Sequence, residues 1–91
     1  MNNDRRKTLK ALQDRAEELK SQLEALKGDL EAARDEEQEA YDNMPEGLQN
    51  SDKGEKAQAA IDAMDEAVSG VENCIDSELQ SFIDNLDTAA E

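Results

Sequence analysis

The stretch "LKALQDRAEELKSQLEALKGDLEAARDEEQEAYDNM", residues 9–44, decides the fold of this 91-residue chain. Its apolar residues recur at alternating intervals of three and four, which is the pattern of an α-helix that packs lengthwise on another helix. The seam positions are Leu9, Leu12, Ala16, Leu19, Leu23, Leu26, Leu30, Ala33, Glu37, Ala40 and Met44. The stretch contains no proline, and Gly28 is its only strongly helix-weakening residue. We therefore predict one long helix over residues 4–42.

A second apolar series follows "NSDKGE", residues 50–55. Asp52 and Glu55 are three residues apart and resemble a capping box, which marks the start of a helix. The apolar residues of this series are Ala57, Ile61, Met64, Val68, Val71, Ile75, Leu79, Phe82 and Leu86. This pattern predicts a second helix over residues 52–88.

The second series has two irregularities. Two consecutive intervals of four, from Val71 to Leu79, form a stutter in the heptad pattern, which locally relaxes a left-handed supercoil. Further apolar residues widen the stripe, as expected for a helix that touches more than one neighbour; they are Ala60, Ala67, Cys74 and Ile83. Because Cys74 lies on this widened face and the chain has no histidine to activate it, we predict a buried structural thiol.

Two helices of similar length joined by a short turn at residues 43–51 predict a single all-α domain, an antiparallel two-helix coiled-coil hairpin. Charge supports this pairing, because residues 1–28 carry seven bases and five acids and would lie beside the acidic end of the second helix. So small a chain, without a disulfide, usually needs oligomerisation, so we expect a homodimer that forms a four-helix bundle. The predicted core and dimer residues are Leu12, Leu19, Leu23, Leu26, Leu30, Ile61, Met64, Val68, Val71, Ile75, Leu79, Phe82 and Leu86.

The formal net charge of −14 is unevenly distributed along the chain. Residues 1–41 hold 8 bases and 11 acids, whereas residues 42–91 hold 2 and 13. Such a surface repels nucleic acid and anionic membranes and attracts basic protein surfaces. With one cysteine, no signal peptide and no long apolar run, the sequence predicts a cytoplasmic protein that binds neither membranes nor nucleic acid directly.

Catalytic chemistry has little support in the sequence. Histidine and a glycine-rich phosphate loop are absent, and no serine or threonine has an adjacent base. One set of carboxylates bears a loose resemblance to the Mg²⁺ ligands of all-α nucleoside-triphosphate pyrophosphatases: Glu36, Glu39, Asp62 and Asp65 or Glu66. The residues with which those enzymes bind base and phosphate have no counterparts, so we predict no enzyme, no cofactor and no metal site.

The turn and the end of the first helix are the candidate binding site. Pro45 ends the helix, and "PEGLQ", residues 45–49, is suited to one short helical turn. Acidic residues crowd the last turns of the first helix, where the helix dipole favours cations. Placement against local preference favours binding, and the alternative interpretation is solvated charge at the tip of a helical bundle. The predicted partner-binding residues are Asp35, Glu36, Glu39, Tyr41, Asp42 and Glu46.

The segment "RDEEQEAYDNMPEGLQNSDKGEKAQAAIDAMDEAV", residues 34–68, resembles a pattern in small acidic proteins of bacteriophage and bacterial origin. These proteins combine a Leu-rich helix, a D-E-E-x-E-x-[YF]-D-N-x-P-E turn and an acidic helix rich in Ala and Ile. The resemblance implies a small helical hairpin and a mobile-element setting, and it implies no activity.

Three functions remain in competition. The first is a binding module, a phage or mobile-element inhibitor or adaptor that docks on a basic surface of a host defence or nucleic-acid-processing protein. The second is a nucleic-acid mimic that occupies a DNA- or RNA-binding groove with acids of the second helix, namely Asp62, Asp65, Glu66, Glu72, Asp76, Asp84 and Asp87. The third is a purely structural oligomerisation segment.

Overall fold

A computed structural model describes residues 2–91, which are 91% helical and include no β-strand. The all-α prediction is therefore confirmed. The elements in chain order are α1 (Asn3–Asp42), α2 (Glu46–Gln49), α3 (Asp52–Asn73), a π-helical segment (Cys74–Leu79) and α4 (Gln80–Ala89).

Helix α1 begins one residue before the predicted start and ends at the predicted residue. The side chain of Asn2 accepts a hydrogen bond from the backbone N–H of Arg5 at 2.8 Å, so it caps the first turn. No basic residue lies in the last turn of α1, and the acids there oppose the helix dipole as the sequence indicated.

The chain divides into two compact units. Unit 1 contains the described residues up to Ala25 together with Val71–Glu91, and unit 2 contains Leu26–Gly70. Each unit therefore pairs a part of α1 with a part of the second helical region.

Unit 1 has a small apolar core. Ala16, Leu79 and Ile83 are buried, and Leu23 and Leu86 pack against them. Two polar contacts join the same segments: Gln13 Nε2 donates to Asp87 Oδ1 at 3.3 Å, and Lys20 Nζ donates to Gln80 Oε1 at 2.9 Å. The residue numbers rise on one side and fall on the other, so the two segments of unit 1 run in opposite directions.

The π-helical segment lies at the stutter in the sequence. A π-helix bonds residue i to i+5 and has a wider turn than an α-helix, so residues four apart stay on one face. Val71, Ile75, Leu79 and Ile83 are four apart; Val71 is half-buried and the other three are buried. The π-helical segment contains one residue more than the equivalent α-helical turns. This extra residue changes which of the later residues face the core. For that reason Ile83, with 2% of its surface exposed, occupies the core position predicted for Phe82, which is 43% exposed.

Unit 2 has its own short core on α3, formed by Ala57, Ile61 and Val68. Arg34 Nη1 of α1 donates to Asp65 Oδ1 of α3 at 3.1 Å and joins the two segments. Gly54 is buried as well, under the turn.

One row of residues on α1 that the sequence predicts as core is exposed in the structure. Leu12, Leu19 and Leu26 are 40%, 52% and 48% exposed, so they are not core residues within the single chain. The residues that follow each of them are Gln13, Lys20 and Lys27, and all three are half-buried. Long polar side chains can cover an apolar seam with their stems while their ends reach polar partners, as Gln13 and Lys20 do.

The prediction of a buried thiol at Cys74 is wrong for the single chain, because Cys74 is exposed. Ile75, the next residue, takes the buried position. One residue corresponds to about 100° of helix rotation, which places Cys74 on the flank of the core.

Candidate partner-binding site

The turn between α1 and α3 is ordered by backbone hydrogen bonds. Pro45 has an extended conformation, with φ −57° and ψ 147°, and ends the helical path. Its carbonyl oxygen accepts bonds from the N–H groups of Leu48 at 2.8 Å and Gln49 at 3.1 Å. These bonds form α2, the short helical turn that the sequence predicted at "PEGLQ". Leu48 remains 44% exposed.

Gly54 fixes the distance between the turn and α3. A Cβ atom added at Gly54 would lie 2.1 Å from the carbonyl oxygen of Gln49 and 2.6 Å from its Cα atom. These are backbone atoms, which cannot rotate away as a side chain can. Only glycine therefore allows this close approach of the turn to α3.

Two hydrogen bonds from side chains to backbone carbonyl oxygens also stabilise the turn. Gln49 Nε2 donates to the carbonyl oxygen of Tyr41 at 3.0 Å, which ties the turn back to the end of α1. The hydroxyl of Ser51 donates to the carbonyl oxygen of Leu48. The sequence interpretation did not identify Gln49 or Gly54 as supports. A glycine near the start of a helix, where other residues favour helix formation more, was the available signal.

Of the predicted binding acids, Asp35 has a partner within the chain. Its Oδ1 accepts from Arg34 Nε at 3.3 Å and Nη2 at 3.2 Å, and Arg34 also contacts Asp65. These contacts, that with Asp35 the most, raise the pKa of the Arg34 guanidinium above its usual value. The charge of Asp35 is thus partly balanced before any partner arrives.

Asp42 and Tyr41 are also engaged by the chain. Asp42 Oδ1 accepts from Gln38 Nε2 at 2.9 Å, one turn earlier on α1. Tyr41 is half-buried, and it lies about 120° round the helix from Asp35. Arg34 stands seven residues before Tyr41, on the same side of α1, and contacts α3. Tyr41 is therefore placed to pack inside unit 2 rather than to project as an anchor.

The remaining three predicted acids have carboxylates that are accessible to a partner. Glu36, Glu39 and Glu46 are exposed, and within residues 2–91 their side chains make no hydrogen bond or ion pair. Glu39 lies one helical turn after Asp35, and Asp42 one turn after Glu39, so Asp35, Glu39 and Asp42 share one side of α1. Unit 2 carries four bases and thirteen acids, a formal charge of −9. The result is a strongly negative surface on a fixed turn.

Several carboxylates further along α3 and α4 differ from Glu36, Glu39 and Glu46, because they accept bonds from neighbouring side chains. Asp62 accepts a hydrogen bond from Gln58 at 3.0 Å, and Asp65 is bound by Arg34. In unit 1, Asp84 accepts from Gln80 at 2.9 Å and Asp87 from Gln13. Asp62, Asp65, Asp84 and Asp87, all considered for nucleic-acid mimicry, therefore already have a partner within their own unit, and Glu72 is engaged as well.

The described residues contain no group of three Cys, Asp or Glu side chains that could hold a metal ion. The carboxylates that resemble a pyrophosphatase site thus do not converge as such a site requires. No helix within residues 2–91 is both long and apolar enough for a transmembrane span.

Comparison with protein-family models, curated proteins and solved structures finds no match to this chain.

Proposed function

We propose that this chain is a non-enzymatic, acidic protein-binding module that docks on a basic surface of another protein. The contact surface is the acidic tip, defined as Asp35, Glu36, Glu39, Asp42 and Glu46. The observation that carries the proposal is that Glu36, Glu39 and Glu46 are exposed and, within residues 2–91, unpaired beside a turn held by Gly54 and Gln49. Carboxylates in this state need no rearrangement to meet a cation.

The scaffold of the module is an antiparallel two-helix hairpin. The contacts Gln13–Asp87 and Lys20–Gln80 in unit 1 support opposite chain directions there, and Arg34–Asp65 joins the corresponding segments of unit 2. Two hairpins associate into a homodimeric four-helix bundle, because the core that residues 2–91 form within a single chain is thin, with seven buried apolar residues.

Electrostatics determines the kind of partner. A charge of −9 on unit 2 attracts a basic surface and accelerates encounter, an effect that salt screens. Exposed charges add more to association rate than to the strength of the final contact. The partner is therefore a protein with a lysine- or arginine-rich patch.

The biological setting rests on the resemblance of residues 34–68 to small phage and bacterial acidic proteins. In that setting the module acts as an inhibitor or adaptor on a host defence or nucleic-acid-processing protein, since such proteins carry basic surfaces. The third function, a purely structural oligomerisation segment, predicts no partner for the acidic tip.

Nucleic-acid mimicry is the competing proposal and uses the flank of α3 and α4. The hydrogen bonds to Asp62 and Asp84 hold these carboxylates in position, as a mimic requires. The same bonds, and the ion pair of Asp65, occupy part of their accepting capacity. Glu36, Glu39 and Glu46 of the acidic tip accept no such bond within residues 2–91, which favours the acidic tip.

The two proposals are separated by capture from a bacterial lysate with three baits. They are the wild type, the tip variant Glu36→Gln/Glu39→Gln/Asp42→Asn, and the flank variant Asp62→Asn/Asp76→Asn/Asp84→Asn. Each variant removes three charges, so the two are matched controls. We expect mass spectrometry to find a basic protein that the wild type and the flank variant retain and the tip variant loses. Loss with the flank variant alone would favour mimicry, and no difference between the baits would favour the structural function.

A further inference from the structure

Leu48 differs in its position from the other exposed large apolar residues within residues 2–91. The others lie beside the apolar seams of long helices, where helix pairing accounts for them; they are Leu12, Leu19, Leu26 and Phe82. Leu48 lies instead on the four-residue turn α2, and 44% of its surface is exposed. Because α2 contains no buried residue, packing within the chain does not explain why this turn carries a leucine.

The backbone of Leu48 is held on both sides. Its N–H donates to the carbonyl oxygen of Pro45 at 2.8 Å, and its carbonyl oxygen accepts from the N–H of Ser51 at 3.1 Å and from the Ser51 hydroxyl. The backbone of the next residue, Gln49, lies in the close approach to Gly54. An apolar side chain on a backbone held in this way loses little further backbone entropy when a partner covers it, which suits Leu48 to be an anchor residue.

Leu48 lies beside the acidic tip. Glu46 stands two residues before it on the same turn, and the side chain of Gln49 ties this turn to the end of α1, two residues after Glu39. Gly47, between Glu46 and Leu48, has no side chain, and a Cβ atom built there meets nothing within 4 Å. The space next to Leu48 is therefore open to a partner, and carboxylates lie at its border.

The surroundings of Leu48 determine the chemistry of its partner. Residues 35–56, which comprise the turn and the helix ends beside it, carry eight acids and two bases. A surface that covers Leu48 must therefore be apolar at its centre and basic at its border, because interfaces set an apolar core within a polar rim and match opposite charges.

We propose that Leu48 is the apolar anchor of the acidic tip, and that the partner is a protein surface on which lysine or arginine side chains surround an apolar depression. This assignment rests on the proposed function and adds to it the apolar part of the partner surface. The carboxylates of the acidic tip govern the rate of approach, whereas the burial of Leu48 governs how slowly the complex dissociates.

The test uses a phage-displayed library of random peptides, selected separately on four baits. They are the wild type, Leu48→Ala, Leu26→Ala and the tip variant Glu36→Gln/Glu39→Gln/Asp42→Asn. Leu26→Ala is the matched control, because Leu26 lies in the same unit and is 48% exposed. Circular dichroism and thermal unfolding first establish that each bait is folded.

We expect the wild type and Leu26→Ala to enrich peptides that combine lysine or arginine with large apolar residues. Leu48→Ala should enrich basic peptides without apolar residues, and the tip variant should lose the preference for bases. For a peptide selected on the wild type, fluorescence polarisation should give a Kd about tenfold higher with Leu48→Ala. That loss should persist at high salt, because an apolar contact is not screened, whereas the loss with the tip variant should shrink.

Wild-type selection of basic peptides without apolar residues overturns Leu48 as the anchor and leaves the proposed function standing. An equal Kd for Leu48→Ala and the wild type, or an equal loss with Leu26→Ala, has the same meaning. A wild type that enriches no basic peptide overturns both. If Leu48→Ala does not fold, Gly47→Gln decides, because it keeps Leu48 and adds bulk where the chain has open space. It should weaken the selected peptide at unchanged helix content, and unchanged affinity overturns the anchor.

Discussion

Unit 1 and unit 2 each combine a part of α1 with a part of the second helical region, and their exposed surfaces differ. Unit 1 exposes the large apolar residues Leu12, Leu19 and Phe82. Unit 2 exposes Leu26 and Leu48 and several small apolar residues, Ala33, Ala40, Ala60 and Ala67. Unit 1 carries a formal charge of −5, and unit 2 one of −9 on a slightly smaller number of residues.

This difference suits the two units to different kinds of interaction. Large exposed apolar side chains gain free energy when another surface covers them, which suits unit 1 to contact with another apolar surface. Dense unpaired carboxylates repel a second copy and attract cations, which suits unit 2 to a basic partner.

The largest effect on stability is expected at Ile83 in unit 1. Ile83→Ala removes a side chain that is 98% covered, and the free energy of unfolding should fall by about 3 kcal/mol. Phe82→Ala is the matched control, because Phe82 is exposed in the single chain. Urea titration at two protein concentrations should show this loss for Ile83→Ala at both and a smaller loss for Phe82→Ala. The reverse pattern would show that the register beyond the π-helical segment is wrong.

The next effect concerns the packed turn of unit 2. In Gly54→Ala the new methyl group meets the backbone of Gln49, and we expect a loss of about 2 kcal/mol from overpacking. Gly28→Ala, in the same unit, meets nothing within 4 Å and should raise stability by about 0.5–1 kcal/mol. Chemical denaturation of the two variants measures both changes. Equal behaviour of the two variants would contradict the close approach at Gly54.

The smallest effect is expected at the ion pair of unit 2. Arg34→Met keeps much of the stem that lies along the seam and removes the contacts with Asp35 and Asp65. Because these carboxylates are well exposed, the loss of stability should be small and should shrink in high salt. Thermal unfolding at low and high ionic strength checks both points. A loss that is independent of salt would show that Arg34 acts through packing alone.

The all-helical content could be predicted from the sequence because its signals are local. Intervals of three and four, the absence of proline from residues 9–44 and the single Pro45 specify where helices form and stop. The stutter at Val71–Leu79 also marked the place where the helix is irregular. Its consequence was not predicted, because a wide π-helical turn exchanges Phe82 for Ile83 only through the packing of the whole segment.

Which of two neighbouring rows of side chains on α1 faces the second segment could not be predicted either. Leu19 is the more apolar residue, yet Lys20 is half-buried, because the position of the second segment decides which column it covers. At the acidic tip, the crowd of acids was visible in the sequence, but the pairing of Asp35 with Arg34 and of Asp42 with Gln38 depends on side-chain geometry. Glu36, Glu39 and Glu46 emerge as the open members only in the structure.

The central claim is that the acidic tip binds a basic partner, and the association rate of the captured partner tests it most directly. Surface plasmon resonance compares the wild type with Glu36→Gln/Glu39→Gln/Asp42→Asn at low and high salt, after circular dichroism has shown equal helix content. We expect several-fold slower association of the tip variant at low salt, with the difference shrinking at high salt as screening weakens the wild type. Equal rates at low salt, together with loss of binding in Asp62→Asn/Asp76→Asn/Asp84→Asn, would contradict it and place the contact on the flank of α3 and α4.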